Sequence, residues 1–235
     1  MKIEGSVALV TGANRGLGAA FCRTLLERGA AKVYAGARDL QRLDHRGVIP
    51  VQLEITSATD IAAAAASCGD VTLLINNAGI GTGTSALADD ALDAARREFA
   101  TNVFGPLALC RAFAPSLDAN GGGVIVNVLS VLSWISMPQT AIYCASKAAG
   151  WSLTNSLRQE LSAQHTQVLG LYVGYMDTDM TAGITAPKSD PVTVADQTLD
   201  GIEAGAHEVL ADDISRHVRS ALSGDLLGLY PQLAG

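Results

Sequence analysis

The apolar run Val7-Ala8-Leu9-Val10 ends in Thr11-Gly12-Ala13-Asn14-Arg15-Gly16-Leu17-Gly18 and passes straight into Ala19-Ala20-Phe21-Cys22-Arg23-Thr24-Leu25-Leu26. This order reads as strand, glycine turn, helix, and constrains the fold more than any other stretch of the chain. Glycines allow unusual dihedrals and a close approach of backbone to a ligand, and the N-terminus of the following helix offers unpaired N–H groups to phosphate. A pyrophosphate fits there, although a purely structural turn has the same pattern. The spacing Thr-Gly-x-x-x-Gly-x-Gly is neither Gly-x-Gly-x-x-Gly nor a Walker A loop, since no Gly-Lys-Ser/Thr follows, and it argues against a nucleotide triphosphatase.

Further strand-like runs lie at about residues 6–10, 32–36, 48–53, 71–75, 123–129, 167–173 and 207–210, mostly as continuous apolar stretches suited to parallel strands covered on both faces. Helices are predicted between them at about residues 17–28, 57–68, 89–117, 141–163 and 192–204, with another over 212–222. The alternation predicts an α/β fold, a Rossmann-like doubly wound parallel sheet of about seven strands with helices on both faces. Between Arg38 and Val48 there is room for only one or two helical turns. With 235 residues, one domain spanning 1–235 is expected.

A net charge of −7 argues against a nucleic-acid surface. The uncharged stretch 119–146 holds three glycines, Asn127, several serines and Pro138, which excludes a membrane helix. No signal peptide is visible at Met1-Lys2-Ile3-Glu4-Gly5, so a cytoplasmic protein is expected. Cys22, Cys68, Cys110 and Cys144 lack paired spacing and are expected to be reduced thiols. His45, His165, His207 and His217 are scattered, and no metal site is predicted.

Tyr143 and Lys147 stand four residues apart at the start of a predicted helix, and Ser130 lies thirteen positions upstream of Tyr143, near the end of a strand. Residues four apart on a helix share a face, so the ammonium can sit beside the phenol and favour its ionised form. A tyrosine packed beside a solvated lysine has the same spacing, and the rest of the chain decides between the two. Ser133 and Ser136 compete with Ser130 in the same loop, but the thirteen-residue spacing selects Ser130. No Gly-x-Ser-x-Gly elbow accompanies it, which disfavours a serine hydrolase.

With Asn76-Asn77-Ala78-Gly79 after the fourth strand, Asn102 in the next helix and Gly174-x-x-x-Thr178 after a late strand, the chain resembles the short-chain dehydrogenase/reductase family over nearly its whole length. The resemblance implies an oxidoreductase that exchanges a hydride between a nicotinamide and a carbonyl or carbinol carbon. Tyr143 would be the acid/base, Lys147 would support it and hold the nicotinamide ribose, Ser130 would steady the substrate oxygen, and Asn102 would support a water leading to Lys147. A halohydrin dehalogenase relative would carry arginine where Lys147 stands. The cofactor site implied comprises Gly12, Asn14, Arg15, Gly16, Leu17, Gly18, Arg38, Glu54, Ile55, Asn76, Ala78, Gly79, Tyr143, Lys147, Gly174, Met176 and Thr178. Val173 replaces the usual proline before Gly174, which leaves that turn less constrained.

The acidic position of NAD-dependent relatives is Ala37 here, followed by Arg38, and Arg15 lies in the glycine loop, so NADP(H) is expected over NAD(H). Arg38 paired with Asp39 or Asp44 at the surface is the alternative. Leu132, Trp134, Met137 and Gln139, with Tyr175 and Met180, are candidates to face substrate beside Ser130, or else to form a subunit interface. The expected substrate is a small-molecule ketone or aldehyde, or the matching alcohol. A 3-oxoacyl reductase acting on acyl-carrier-protein thioesters, with Arg96-Arg97 as its docking patch, and a non-catalytic NADP(H)-binding redox sensor are alternatives. The resemblance also implies a homodimer or homotetramer, and residues 224–235 are expected to pack on a partner subunit.

Overall fold

The computed structural model describes residues 1–43 and 46–233; Asp44, His45, Ala234 and Gly235, and the expectations that touch them, fall outside the described residues. Seven strands, β1 (Val7–Thr11), β2 (Lys32–Ala37), β3 (Ile49–Gln52), β4 (Leu73–Asn76), β5 (Gly123–Val128), β6 (Thr166–Tyr172) and β7 (Glu208–Leu210), form one sheet in the order β3-β2-β1-β4-β5-β6-β7. Every pairing is parallel. Parallel strands need crossovers, and these are α1 (Gly16–Glu27), α2 (Ala58–Ser67), α3 (Ala91–Phe99), α4 (Gly105–Ala119), α5 (Ala141–Glu160) and α6 (Pro191–Glu203), followed by α7 (Asp213–Ala221) and a short α8 (Leu226–Leu229). Among the described residues of the β2–β3 connection there is one 3-10 turn, Leu40–Arg42, in keeping with the room its length allows.

Because side chains alternate along each strand, successive apolar residues serve two cores. Ala8, Val10, Val33, Leu73, Ile75, Val124 and Val126 pack with Phe21 and Leu25 of α1 and Leu199 and Ile202 of α6. On the opposite face, Leu9, Leu74, Ile125 and Val168 meet Ile61 of α2, Leu109, Phe113 and Leu117 of α4, and Leu157 of α5.

The helix expected over residues 89–117 is broken into α3 and α4 by a π-helical turn, Ala100–Phe104, in which the Gly105 N–H bonds to the Ala100 carbonyl. Its cause is local. Pro106 has no N–H, so the Asn102 carbonyl four residues earlier lacks its usual α-helical partner, and the ladder shifts register there.

Phe21 carries α1 against the sheet with no exposed surface. Replacing it with alanine should cost about 3–5 kcal/mol, read as a drop in the denaturant midpoint at unchanged slope.

Candidate active site

β1 and β4 are neighbours whose crossovers leave in opposite directions, which opens a crevice at their C-terminal ends. Thr11 and Asn77 stitch this crevice. The Thr11 hydroxyl accepts from the N–H groups of Asn77 and Ala78, both at 3.0 Å, and the Asn77 side-chain amide donates to the Thr11 carbonyl at 2.9 Å. Gly12 and Gly16 adopt φ of +64° and +52°. A Cβ on Gly18 would lie 2.2 Å from the Gly12 carbonyl oxygen, so only glycine fits there. Leu17 is buried under the loop, while Asn14 is half-buried at its rim. The first turn of α1 contains no acidic residue and its N-cap makes no side-chain hydrogen bond, which leaves N–H donors and the positive helix end for an anion. This cradle fits a dinucleotide pyrophosphate.

At the other cofactor-side positions, β2 ends in buried Ala37, and exposed Arg38 follows it. Arg38 lies 3.5 Å from Glu54, whereas Asp39 pairs with Arg42. Glu54 also accepts from the N–H and hydroxyl of Thr56. Ile55 is buried, with its carbonyl against Gly105. Arg15 bonds to Asp179 at 2.8 Å, joining the glycine loop to the segment after Gly174. In that segment Thr178 packs on Gly16, and the Met176 carbonyl accepts from the Thr181 hydroxyl. The turn at Gly174 is held without proline: its N–H donates to Asp212 at 2.6 Å, and Asp212 also caps α7.

Ser130, Tyr143 and Lys147 come together at the end of β5. The Ser130 hydroxyl accepts from the Leu132 N–H at 3.1 Å and donates to the Val173 carbonyl at 3.4 Å, on the side of the Tyr143 phenol. The Ser133 hydroxyl accepts from the Ser130 N–H, and the Ser136 N–H donates to the Tyr230 hydroxyl; Ser130 is the serine that acts on the phenol. Lys147 is buried, donates to the Val128 carbonyl at 2.8 Å, and sits 5.5 Å from the Tyr143 ring centroid. Asn102 spends its side chain on the Ile80 backbone, accepting at 2.9 Å and donating at 2.8 Å, and also donates to Ser146. A Cβ on Gly79 would fall 3.3 Å from the Asn102 side-chain oxygen and 3.8 Å from the Lys147 ammonium, so all three lie together. Beneath them a small cavity of about 20 Å³ is lined by Asn102, Lys147, Ala78, Gly150 and Asn76, room for about one water. Asn76 bonds to Asn127 at 2.9 Å, and its side-chain oxygen is buried without a partner.

The electrostatic balance differs from what the Tyr-x-x-x-Lys spacing alone suggests. Burial pushes the Tyr143 phenol well above its ordinary range, the charge of Glu98 adds to this, and the Ser130 hydroxyl opposes it. Burial pulls Lys147 down to about 8, with Glu98 holding it up.

Among the candidate substrate residues, the Tyr175 hydroxyl lies 3.9 Å from the Met137 sulfur, which brings the two substrate segments into contact. Gln139 and Met180 are exposed and Leu132 is half-buried. Trp134 is engaged elsewhere: its indole stacks on Tyr172 at 4.2 Å, with Arg219 over the ring. Sequence reasoning missed Glu98 and Tyr230. Glu98 sits beside Arg96-Arg97 and reads as part of a solvated helix face; Tyr230 carries no motif at all.

The family model described as short chain dehydrogenase matches residues 6–189. A short-chain dehydrogenase from Burkholderia cenocepacia, solved in complex with NADP, is 41% identical, covers 100% of both chains and superposes with a TM-score of 0.95. A short-chain dehydrogenase/reductase from Burkholderia phymatum, solved with NAD, is 26% identical over 93% of each chain, with a TM-score of 0.85. The cis-4-hydroxycyclohexanecarboxylate dehydrogenase of Sinomonas cyclohexanicum is 36% identical over 77% of each chain. The chain belongs to the short-chain dehydrogenase/reductase family. Its chemistry is NAD(P)(H)-dependent oxidoreduction at carbonyl and alcohol carbons. No helix among the described residues is long and apolar enough to cross a membrane.

A lysine whose folded-state value is depressed from 10.5 to about 8 leaves the unfolded chain holding the extra proton between those limits, so stability rises with pH across that window. Relative to Lys147→Met, the parent should therefore gain stability as pH rises from about 8 to 10.5, measured by denaturant midpoints.

Proposed function

We propose that the chain is an NADP(H)-dependent reductase of ketones or aldehydes of modest size, with Tyr143 as the acid that protonates the substrate oxygen. The observation that carries this reading is the buried Lys147 ammonium 5.5 Å from the centroid of the Tyr143 ring, with buried Ser130 at the end of β5 and the Gly79–Gly81 backbone packed against both groups. NADP(H) supplies the hydride chemistry when bound. Tyr143, kept protonated by its buried setting, gives its proton to the oxygen in reduction and recovers one in the reverse direction. Ser130 orients that oxygen with a fixed donor. Lys147 holds the nicotinamide ribose hydroxyls, and Asn102 fixes the Ile80 backbone and supports the small cavity through which a water would reach Lys147.

The preference for NADP(H) rests on the absence of an acid at Ala37 and on the exposure of Arg38 and Arg15, whose ion pairs with Glu54 and Asp179 are weak enough to exchange for a phosphate. The NADP complex of the Burkholderia cenocepacia relative agrees with this. Gly12, Asn14, Gly16, Leu17 and Gly18 would hold the pyrophosphate, Glu54 and Ile55 the adenine side, Asn76, Ala78 and Gly79 the ribose, and Gly174, Met176 and Thr178 the nicotinamide. Leu132, Met137, Gln139, Tyr175 and Met180 line the substrate side, while Trp134 braces the loop through Tyr172. A substrate of modest size is in keeping with the name of the Sinomonas relative, a hydroxycyclohexane carboxylate dehydrogenase. A cytoplasmic homodimer or homotetramer belongs to the same proposal; Phe104, 60% exposed beside α4, gives it an apolar surface to bury.

In a panel of carbonyl compounds followed by NADPH absorbance, Tyr143→Phe should lower turnover roughly 10²- to 10⁴-fold while NADPH still binds. Oxidation of NADPH by neither protein with any carbonyl would overturn the enzyme reading. Arg38→Ala should weaken NADPH by about tenfold and leave NADH nearly unchanged; a parent that prefers NADH would end the cofactor assignment.

A further inference from the structure

Glu98 lies outside the residues assigned above, yet it is fully buried. One carboxylate oxygen accepts from both the N–H and the hydroxyl of Thr82, each at 2.6 Å. The other is buried with no hydrogen-bond partner. Retaining a carboxylate there is costly, since an ionised group in the interior normally demands full pairing. What it holds is the segment 79–84. Gly81 of that segment packs on the Tyr143 ring, with a Cβ there falling 3.3 Å from the ring edge, and Gly79 lies against the Lys147 ammonium. The Thr84 carbonyl accepts from the Ile142 N–H at the start of α5. The carboxylate is thus one loop away from both groups, and α3 and α5 pack directly on each other.

We propose that Glu98 is a positioning residue for the Tyr143–Lys147 pair, seating the 79–84 segment against the phenol and presenting its buried carboxylate to both groups. This rests on the reading of Tyr143 as the acid. The groups that face the pair are few. Glu98 from α3, Ser130 from the turn after β5 and Cys144 from α5 act on Tyr143; beside its own burial, Glu98 is the group that acts on Lys147. Arg96 and Arg97, on the same helix, are exposed. Asn102, Thr82 and Thr84 are neutral. A single negative charge favours the protonated form of each member, so it displaces the titration of both in the same direction. The consequence is directional. At neutral pH the phenol stays loaded with its proton, which suits an acid that serves carbonyl reduction; oxidation, which needs the phenolate, is deferred to higher pH.

The test compares the parent with Glu98→Gln, Thr82→Val and Tyr143→Phe. Rates of alcohol oxidation and carbonyl reduction are taken across pH, and phenolate absorbance is titrated in the protein alone, with Tyr143→Phe as the subtraction. Glu98→Gln should move the rising limb of oxidation, the falling limb of reduction and the Tyr143 absorbance step to lower pH, together, by about one unit. Thr82→Val, which removes the hydroxyl contacts to Glu98 and Thr84 but keeps the backbone N–H bond and the charge, should leave all three in place. If Glu98→Gln loses rate or stability while its limbs superimpose on the parent's, or if Thr82→Val shifts them equally, the charge role is overturned. Should the Gln variant fail to fold, Glu98→Met removes the charge with an apolar side chain of similar length, and the same displacement is expected. Full turnover by Tyr143→Phe would sink the acid assignment itself, an outcome distinct from a parent-like pH profile in Glu98→Gln.

Discussion

One hydroxyl fixes the geometry on which the crevice depends. Thr11 closes β1, and its side chain accepts two backbone N–H groups from the residues that follow β4 while lying 3.3 Å from the Ile75 carbonyl. Those N–H groups lie beyond the last rung of the strand ladder, where the chain turns away from the sheet; the Asn77 N–H also reaches the Ile75 carbonyl at 3.1 Å, while Thr11 gives the Ala78 N–H its acceptor. Asn77 returns the favour by donating to the carbonyls of Thr11 and Gly12. The glycine loop and the Asn-Asn-Ala-Gly turn are therefore set against each other in one register. Gly18 then has no room for a side chain, α1 starts where it must, and the crevice is held open.

A second layer of support aims the reacting side chains, and it is polar where the sheet is apolar. Lys147 donates to the last carbonyl of β5, Asn102 clamps both backbone groups of Ile80, and Ser146 bridges Asn102 and the Tyr143 carbonyl. The π turn belongs to this layer. By withdrawing the partner of the Asn102 carbonyl, Pro106 leaves a backbone acceptor close to Gly150 and to the small cavity shared with Lys147. In this arrangement the spacing of tyrosine and lysine secures proximity, while burial decides the protonation of both.

Much of this was legible in the chain, for reasons that differ residue by residue. Strands buried on both faces announce themselves as unbroken apolar runs, so β1, β2, β4, β5 and β6 could be located without any partner being known. Ser130, Tyr143 and Lys147 were found because their separation along one strand end and one helix survives folding. The single long helix expected over 89–117 was wrong in one respect that was also legible: Gly105-Pro106 in its middle forbids a regular ladder. Other features depend on contacts distant in sequence. The brace on Gly174 comes from Asp212, thirty-eight positions away, and replaces the constraint that proline would supply. Trp134 looked like a pocket residue, yet its indole is spent on Tyr172, a strand residue whose ring no pattern predicts to be stacked.

The charges divide into two kinds, and the division follows solvent. Arg15–Asp179 and Arg38–Glu54 span the outer edge of the crevice with largely exposed arginines, and such pairs in water contribute little, because each partner is nearly as well solvated apart. Weakness is useful there: an arginine that gives up its carboxylate at small cost can turn to a phosphate. Glu98 is the opposite case. Its carboxylate is sealed behind the 79–84 segment, screening by salt is slight, and its field reaches Tyr143 and Lys147 through a low-dielectric interior. Exposed charges at the rim can choose their partner, whereas the buried one is fixed by the fold, and its charge modulates a protonation balance that burial dominates.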